Sequence, residues 1–70
     1  MSRVSFQSDA ANLSSVKTGL EDLAERIVNV ADSYAGGADE DLSVRLYEVE
    51  RNLLSAGRRL GAILKDLEER

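Results

Sequence analysis

The sequence predicts an all-α protein: an antiparallel two-helix hairpin that is expected to associate further into a four-helix bundle. Three observations carry this. Apolar residues recur at alternating steps of three and four over two long stretches. A glycine pair followed by three acids separates those stretches. No proline occurs anywhere in the chain, so nothing forces a break inside either stretch.

The first helix is expected over about residues 8–34. Its heptad seam is Leu13, Val16, Leu20, Leu23, Ile27, Val30 and Tyr34. The turn follows at residues 35–38, where Gly36 and Gly37 supply the positive φ that a helix C-terminus favours. Asp39, Glu40 and Asp41 then oppose the positive dipole end of a second helix, with Asp39 as its candidate cap. That helix is expected over about residues 39–68, with the seam Leu42, Leu46, Val49, Leu53, Ala56, Leu60, Ile63 and Leu67. At 1.5 Å per residue each helix is about 40 Å long. So short a connection makes the two helices antiparallel neighbours.

Laying one seam on the other pairs Tyr34 with Leu42, Val30 with Leu46, Ile27 with Val49 and Leu23 with Leu53. The series continues through Leu20 with Ala56, Val16 with Leu60 and Leu13 with Ile63. Gly19 falls opposite Gly57 in this register. Together with Ala56, these two glycines are the expected point of close helix packing, since each costs about 1 kcal/mol in a helix relative to alanine. Gly61 lies one turn further on.

One hairpin leaves apolar surface over. Tyr47, Leu54 and Leu64 flank the second seam, and Val44 lies beside its start. Ala10, Ala24 and Ala31 form a column spaced by seven and by multiples of seven on the first helix, with Val28 nearby. Ordering a residue costs roughly 1.5 kcal/mol, so a small scaffold without staples is marginal. The chain has no cysteine and therefore no disulfide. Tyr47, Leu54, Leu64, Val28, Ala24 and Ala31 are accordingly the expected partner interface, and the expected partner is a second copy or a related helical protein.

Composition excludes several function classes. Charged residues are 31% and hydrophobic ones 43% of the chain, which fits neither a disordered acidic tail nor a membrane span. The opening stretch "MSRVSFQSDAANL" has no leader-type apolar run. The compartment expected is cytoplasmic, or outside the cell by export with a partner. Residues 1–35 carry Arg3, Lys17 and Arg26 against five acids, and residues 36–70 carry six basic residues against eight acids. Neither half is a basic arm, which counts against phosphate-backbone binding. Arg45, Arg51, Arg58 and Arg59 offer the only stripe for a nucleic acid, and Glu48 and Glu50 offset it.

Catalytic and metal chemistry lack their usual residues. Without histidine or cysteine the commonest metal ligands, general base and thiol nucleophile are missing, and no cofactor or metal is expected. Asp39, Glu48, Glu50, Asp66 and Glu69 fall off the seams. Asp9 alone takes a seam position, facing Leu67, and is read as serving the first turn. The spacing Ser14-Ser15-Val16-Lys17 matches a serine–lysine nucleophile pair, but a two-helix chain provides no pocket for it. On the outer face Asp22 and Arg26 stand four apart, a spacing worth ~0.2–0.5 kcal/mol when it pairs.

The turn carries one further signal. Tyr34, Ala35 and Gly36 form an aromatic-x-Gly between two heptad helices, and in this the chain resembles the WXG family, the small early-secreted-antigen-like hairpins of type VII secretion. The likeness in layout runs from Phe6 to Leu67. It implies that Tyr34 packs at the hairpin end and that Gly36 lets the chain reverse. Two features depart from the family. Tyrosine stands in place of tryptophan, and the export signal, Tyr-x-x-x-Asp/Glu after the second helix, is missing. Tyr47 is followed four residues on by Arg51, inside the second helix. The chain is also shorter than typical members. The resemblance implies the signal-less member of a pair, an adaptor or co-secreted partner. The competing expectation is a cytosolic regulatory or toxin-neutralising module that uses the same helix faces.

Overall fold

A computed structural model describes residues 6–70; the opening residues 1–5, Arg3 among them, lie outside the described residues. The chain forms two α-helices, α1 (Phe6–Tyr34) and α2 (Glu40–Glu68), packed along their length as a hairpin with a Cα cross-section of 16 × 14 Å. Each has 29 residues and so runs about 43 Å. α1 begins two residues earlier than the seam required.

The reversal is built on one glycine. The N–H of Ala35 donates to the Asp32 carbonyl at 3.3 Å, and that of Gly37 to the Tyr34 carbonyl at 3.2 Å. Between them Gly36 takes φ +76°, the one positive φ among the described residues. The start of α2 differs from expectation. Asp39 sits at the cap position but makes no side-chain capping bond. Its carbonyl instead accepts from the Leu42 N–H at 2.9 Å, so its carboxylate acts on the helix only through charge, with Glu40 and Asp41.

The expected register holds, while the expected facing does not. Leu23 and Leu53 still share a level, as do Val30 with Leu46, Tyr34 with Leu42, and Leu13 with Ile63. The helices, however, turn a different flank toward each other. The only buried apolar side chains among the described residues are Ala24, 2% exposed, and Ala31, 0% exposed. Across from them α2 buries Ser43 and Gly57. The inner face of α1 is therefore the column Ala10, Lys17, Ala24 and Ala31 with Leu13, Leu20 and Ile27, all buried or half-buried. The inner face of α2 is Ser43, Glu50, Gly57 and Leu64 with Leu46, Leu53 and Leu60. Small residues at the centre let the two backbones approach and keep contact along the whole length. Seating leucine and valine there would hold the helices apart.

Two polar residues on this inner face are satisfied. The Ser43 hydroxyl donates to the Glu40 carbonyl at 2.7 Å, which removes the cost of burying it. Lys17 lays its stem over Gly61: a Cβ built on that glycine would stand 3.3 Å from the Lys17 Cε. The Lys17 ammonium ends on Glu21 at 2.8 Å. The expected Gly19–Gly57 contact is not formed. Gly19 is exposed on the outer side of α1, because the rotation carries it away from α2. A Cβ at Gly19 or at Gly57 meets nothing within 4 Å. Gly61, under Lys17, is the helical glycine whose missing side chain makes room for a neighbour.

These observations order the glycines. Gly19→Ala and Gly57→Ala each raise stability by about 1 kcal/mol, since the helix gains propensity and no atom is displaced. Gly36→Ala lowers it by about 1–2 kcal/mol through its positive φ. Urea unfolding of the three variants checks this, and a destabilising Gly57→Ala would contradict the open space beside it.

Candidate groove between the helices

Turning the small residues inward turns the large ones outward. Val16, Leu23 and Val30 of α1 are 49%, 45% and 50% exposed, and Val49 and Ile63 of α2 are similarly open. Val30 and Val49 line one concavity, so the two rows lie on the same side of the hairpin. Three stretches of concave surface lie along that side. At the turn end Val30, Tyr34, Leu42, Arg45, Leu46, Glu48 and Val49 line it. The middle stretch is lined by Leu23, Arg26, Ile27, Asn29, Val30 and Leu53. At the open end Phe6, Asp9, Asn12, Leu13, Ile63 and Leu67 complete it. These are mainly apolar hollows along one side of the hairpin, the first two meeting at Val30, with Asp9, Arg26, Arg45 and Glu48 among their lining.

The residues expected to meet a partner lie elsewhere. Ala24 and Ala31 are buried between the two helices, so neither is available to a second molecule. Val28, Tyr47, Leu54 and Leu64 are half-buried on or beside the inner face. Of the seam residues expected to bury one another, Val16, Leu23, Val30, Val49 and Ile63 are instead exposed along this side, while Leu13, Leu20, Ile27, Leu46, Leu53 and Leu60 are half-buried. Ala56 is half-buried and belongs to the lining column of Leu42, Val49 and Ile63. Sequence periodicity identifies both sets as apolar. What separates the two flanks is side-chain size: alanine, serine and glycine lie on the inner flank beside the central leucines, and valine, Leu23 and Ile63 lie on the exposed flank.

Tyr47 has an internal role. Its hydroxyl donates to the Asp32 carboxylate across the hairpin, which ties the last turns of α1 to the second turn of α2. That hydrogen bond, with desolvation and the charges of Asp32 and Glu50, raises the Tyr47 pKa above its ordinary value. Tyr34, the aromatic of the turn motif, is 37% exposed at the end of the groove, and Gly37 closes the turn behind it.

The other candidate chemistry is dispersed. Ser14 is exposed, and the ammonium of Lys17 is engaged by Glu21. Among the described residues no three of His, Cys, Asp and Glu converge as metal ligands, and no helix is long and apolar enough to cross a membrane. Arg45 lines the groove, whereas Arg51 and Arg58 stand seven apart, about 100° from the heptad column of Arg45 and Arg59. The four arginines make two rows and not one stripe. Among the described residues Lys17 pairs with Glu21 and Asp66 with Arg70, and none joins Asp22 to Arg26.

No protein-family model, no curated protein and no solved structure matches this chain.

The Tyr47–Asp32 bond makes stability fall at high pH. With its pKa raised in the folded state, Tyr47 contributes stability that is fully present below its unfolded pKa near 10. That contribution is lost as pH rises through the folded value. Tyr47→Phe is expected to be less stable than wild type at pH 7 and to lose less stability above pH 10. Urea titrations at the two pH values would show it, and equal alkaline losses would mean the bond is not formed in solution.

Proposed function

We propose that this chain is a non-enzymatic interaction protein that completes a helical bundle. Its groove accepts a helix pair from an identical or related helical protein, and the two hairpins together form four helices around one core. The observation that carries this is the exposed row of Val16, Leu23, Val30, Val49 and Ile63 along one side of the hairpin. A contiguous apolar surface of this kind marks a contact site. Its aliphatic lining suits the interdigitation of heptad side chains. Burying one aliphatic side chain contributes roughly 1.5–3 kcal/mol, so closing the groove supplies the core that the isolated hairpin lacks.

Within this class we favour a WXG-like adaptor or co-secreted partner in type VII secretion. The support is the hairpin layout and the position of Gly36, with its positive φ, two residues after Tyr34. A member without the export signal would travel with, or present, a partner that bears it. If so, deletion of the secretion ATPase should retain the protein in cells; unchanged export, or none in the wild-type strain, would count against this assignment.

The bundle reading itself is tested by site-specific photo-crosslinking in the native host. A photoreactive residue at Leu23 or Ile63 is expected to capture a helical protein, either this chain or another. The same probe at Glu25 or Arg51, on the outer faces, is expected to capture none. Equal labelling from both sides, or none from the groove, would rule out the groove as the contact surface.

A further inference from the structure

We propose that the hairpin is jointed at the level of Gly19 and Gly57. Its open-end arm, residues 6–18 with residues 58–68, opens and recloses on its own while the turn half stays folded.

Two glycines share one level of the hairpin. The matched pairs Tyr34 with Leu42, Val30 with Leu46, Leu23 with Leu53 and Leu13 with Ile63 follow a single register. Gly19 and Gly57 fall opposite each other on it. Gly19 is exposed on the outer side of α1 and Gly57 is buried on the inner face of α2, so no single contact accounts for both. Neither takes a positive φ, and a Cβ on either would meet nothing within 4 Å. Gly61 differs, because the Lys17 Cε stands 3.3 Å from the place its Cβ would take. Glycine is the poorest helix former after proline. Both helices are therefore weakened at one cross-section, and neither packing nor turn geometry offsets it.

The two halves are held together unequally. In the turn half the chain itself connects the helices through Gly36, and the Tyr47 hydroxyl bonds Asp32 across the hairpin. Ala24, Ala31 and Ser43, all buried, lie in that half. Beyond the glycine level no residue of 6–18 or 58–70 is buried; all are half-buried or exposed. The Lys17–Glu21 and Asp66–Arg70 pairs each join residues of one chain segment four apart and tie nothing across. Lys17–Glu21 spans Gly19, but a partly exposed pair of this kind contributes little. A segment with few buried contacts opens at the low end of a protein's stability range.

The docking side divides at the same place. The turn and middle hollows meet at Val30, and the middle one reaches down to Leu23 and Leu53. The open-end hollow is lined by Phe6, Leu13, Ile63 and Leu67. The glycine level lies between them, so a joint there lets the arm adjust to a partner seated on the turn half. That consequence rests on the contact surface proposed above, whereas the joint itself does not.

Native-state amide hydrogen exchange of the purified full chain, followed residue by residue by NMR, tests the joint. Protection is expected to step down on both helices across the level of residues 19 and 57. Combining Gly19→Ala with Gly57→Ala is expected to slow exchange in the arm about 30-fold, the sum of two glycine-to-alanine gains in helix propensity. Tyr47→Phe is expected to speed exchange in the turn half and to leave the arm within about twofold of wild type, because the arm opens without breaking that bond. Equal speeding of every amide by Tyr47→Phe would mean one cooperative unit and would overturn the joint. A smooth decline of protection toward the termini, unchanged by the glycine substitutions, would reduce it to end fraying. The chain is measured alone, so a failed joint leaves partner capture at the groove standing, and failed capture leaves the joint standing.

Discussion

The structure depends on the close approach of two helices along a line of small side chains. Ala10, Ala24 and Ala31 on α1 meet the side of α2 that carries Ser43, Gly57 and Gly61. Small residues contribute little hydrophobic area each, but they leave room for two 29-residue helices to lie side by side along their length. Everything else follows from that choice of inner face. The Ser43 hydroxyl must find a partner within its own helix and does so at Glu40. Lys17, the one long side chain in the alanine column, passes across α2 where Gly61 leaves space and reaches Glu21. Tyr47 comes close enough to Asp32 to bond it.

The same choice has a cost that defines the molecule. An α-helix with three adjacent apolar columns can bury only part of them against one neighbour. Here the alanine column and the central leucines are used inside the hairpin, and the valine and isoleucine columns are left in water. No large side chain among the described residues is fully buried. A chain of this size without disulfide or metal has little stability in reserve, so the exposed columns are the main apolar surface from which it can gain more. That links the energetics of the hairpin to its proposed work: the surface that would make the fold secure is the surface that recognises a partner.

Much of the fold is legible in the sequence, because heptad periodicity fixes helix type and the glycine pair fixes the reversal. The register is legible too, since a short turn leaves only one alignment of Tyr34 with Leu42. The rotation of each helix about its axis is not. Val30 and Ala31 are adjacent in sequence and lie on opposite flanks of the same apolar face, so a count of apolar positions weighs them alike. Choosing between them requires knowing whether the first neighbour is one close helix or a larger core. Gly19 was misleading for the same reason: its level is right and its azimuth is wrong. Side-chain size was the usable signal, because alanines at 24 and 31 and small residues at 43 and 57 occupy matching flanks. The absence of a capping bond at Asp39 and the pairing of Tyr47 with Asp32 lie beyond periodicity, since they depend on local side-chain geometry and on the distance between the helices.

The central claim is that the alanine flank faces inward and the valine flank outward. Adding the same bulk at two neighbouring positions tests it most directly. Ala31→Leu and Val30→Leu are compared by urea unfolding at a concentration where the chain sediments as a monomer. Overpacking of a close helix contact costs typically 1–3 kcal/mol, so Ala31→Leu is expected to lose that much while Val30→Leu remains within about 0.5 kcal/mol of wild type. A tolerated Ala31→Leu beside a costly Val30→Leu would mean that the helices meet through their large residues, and the groove described here would not exist.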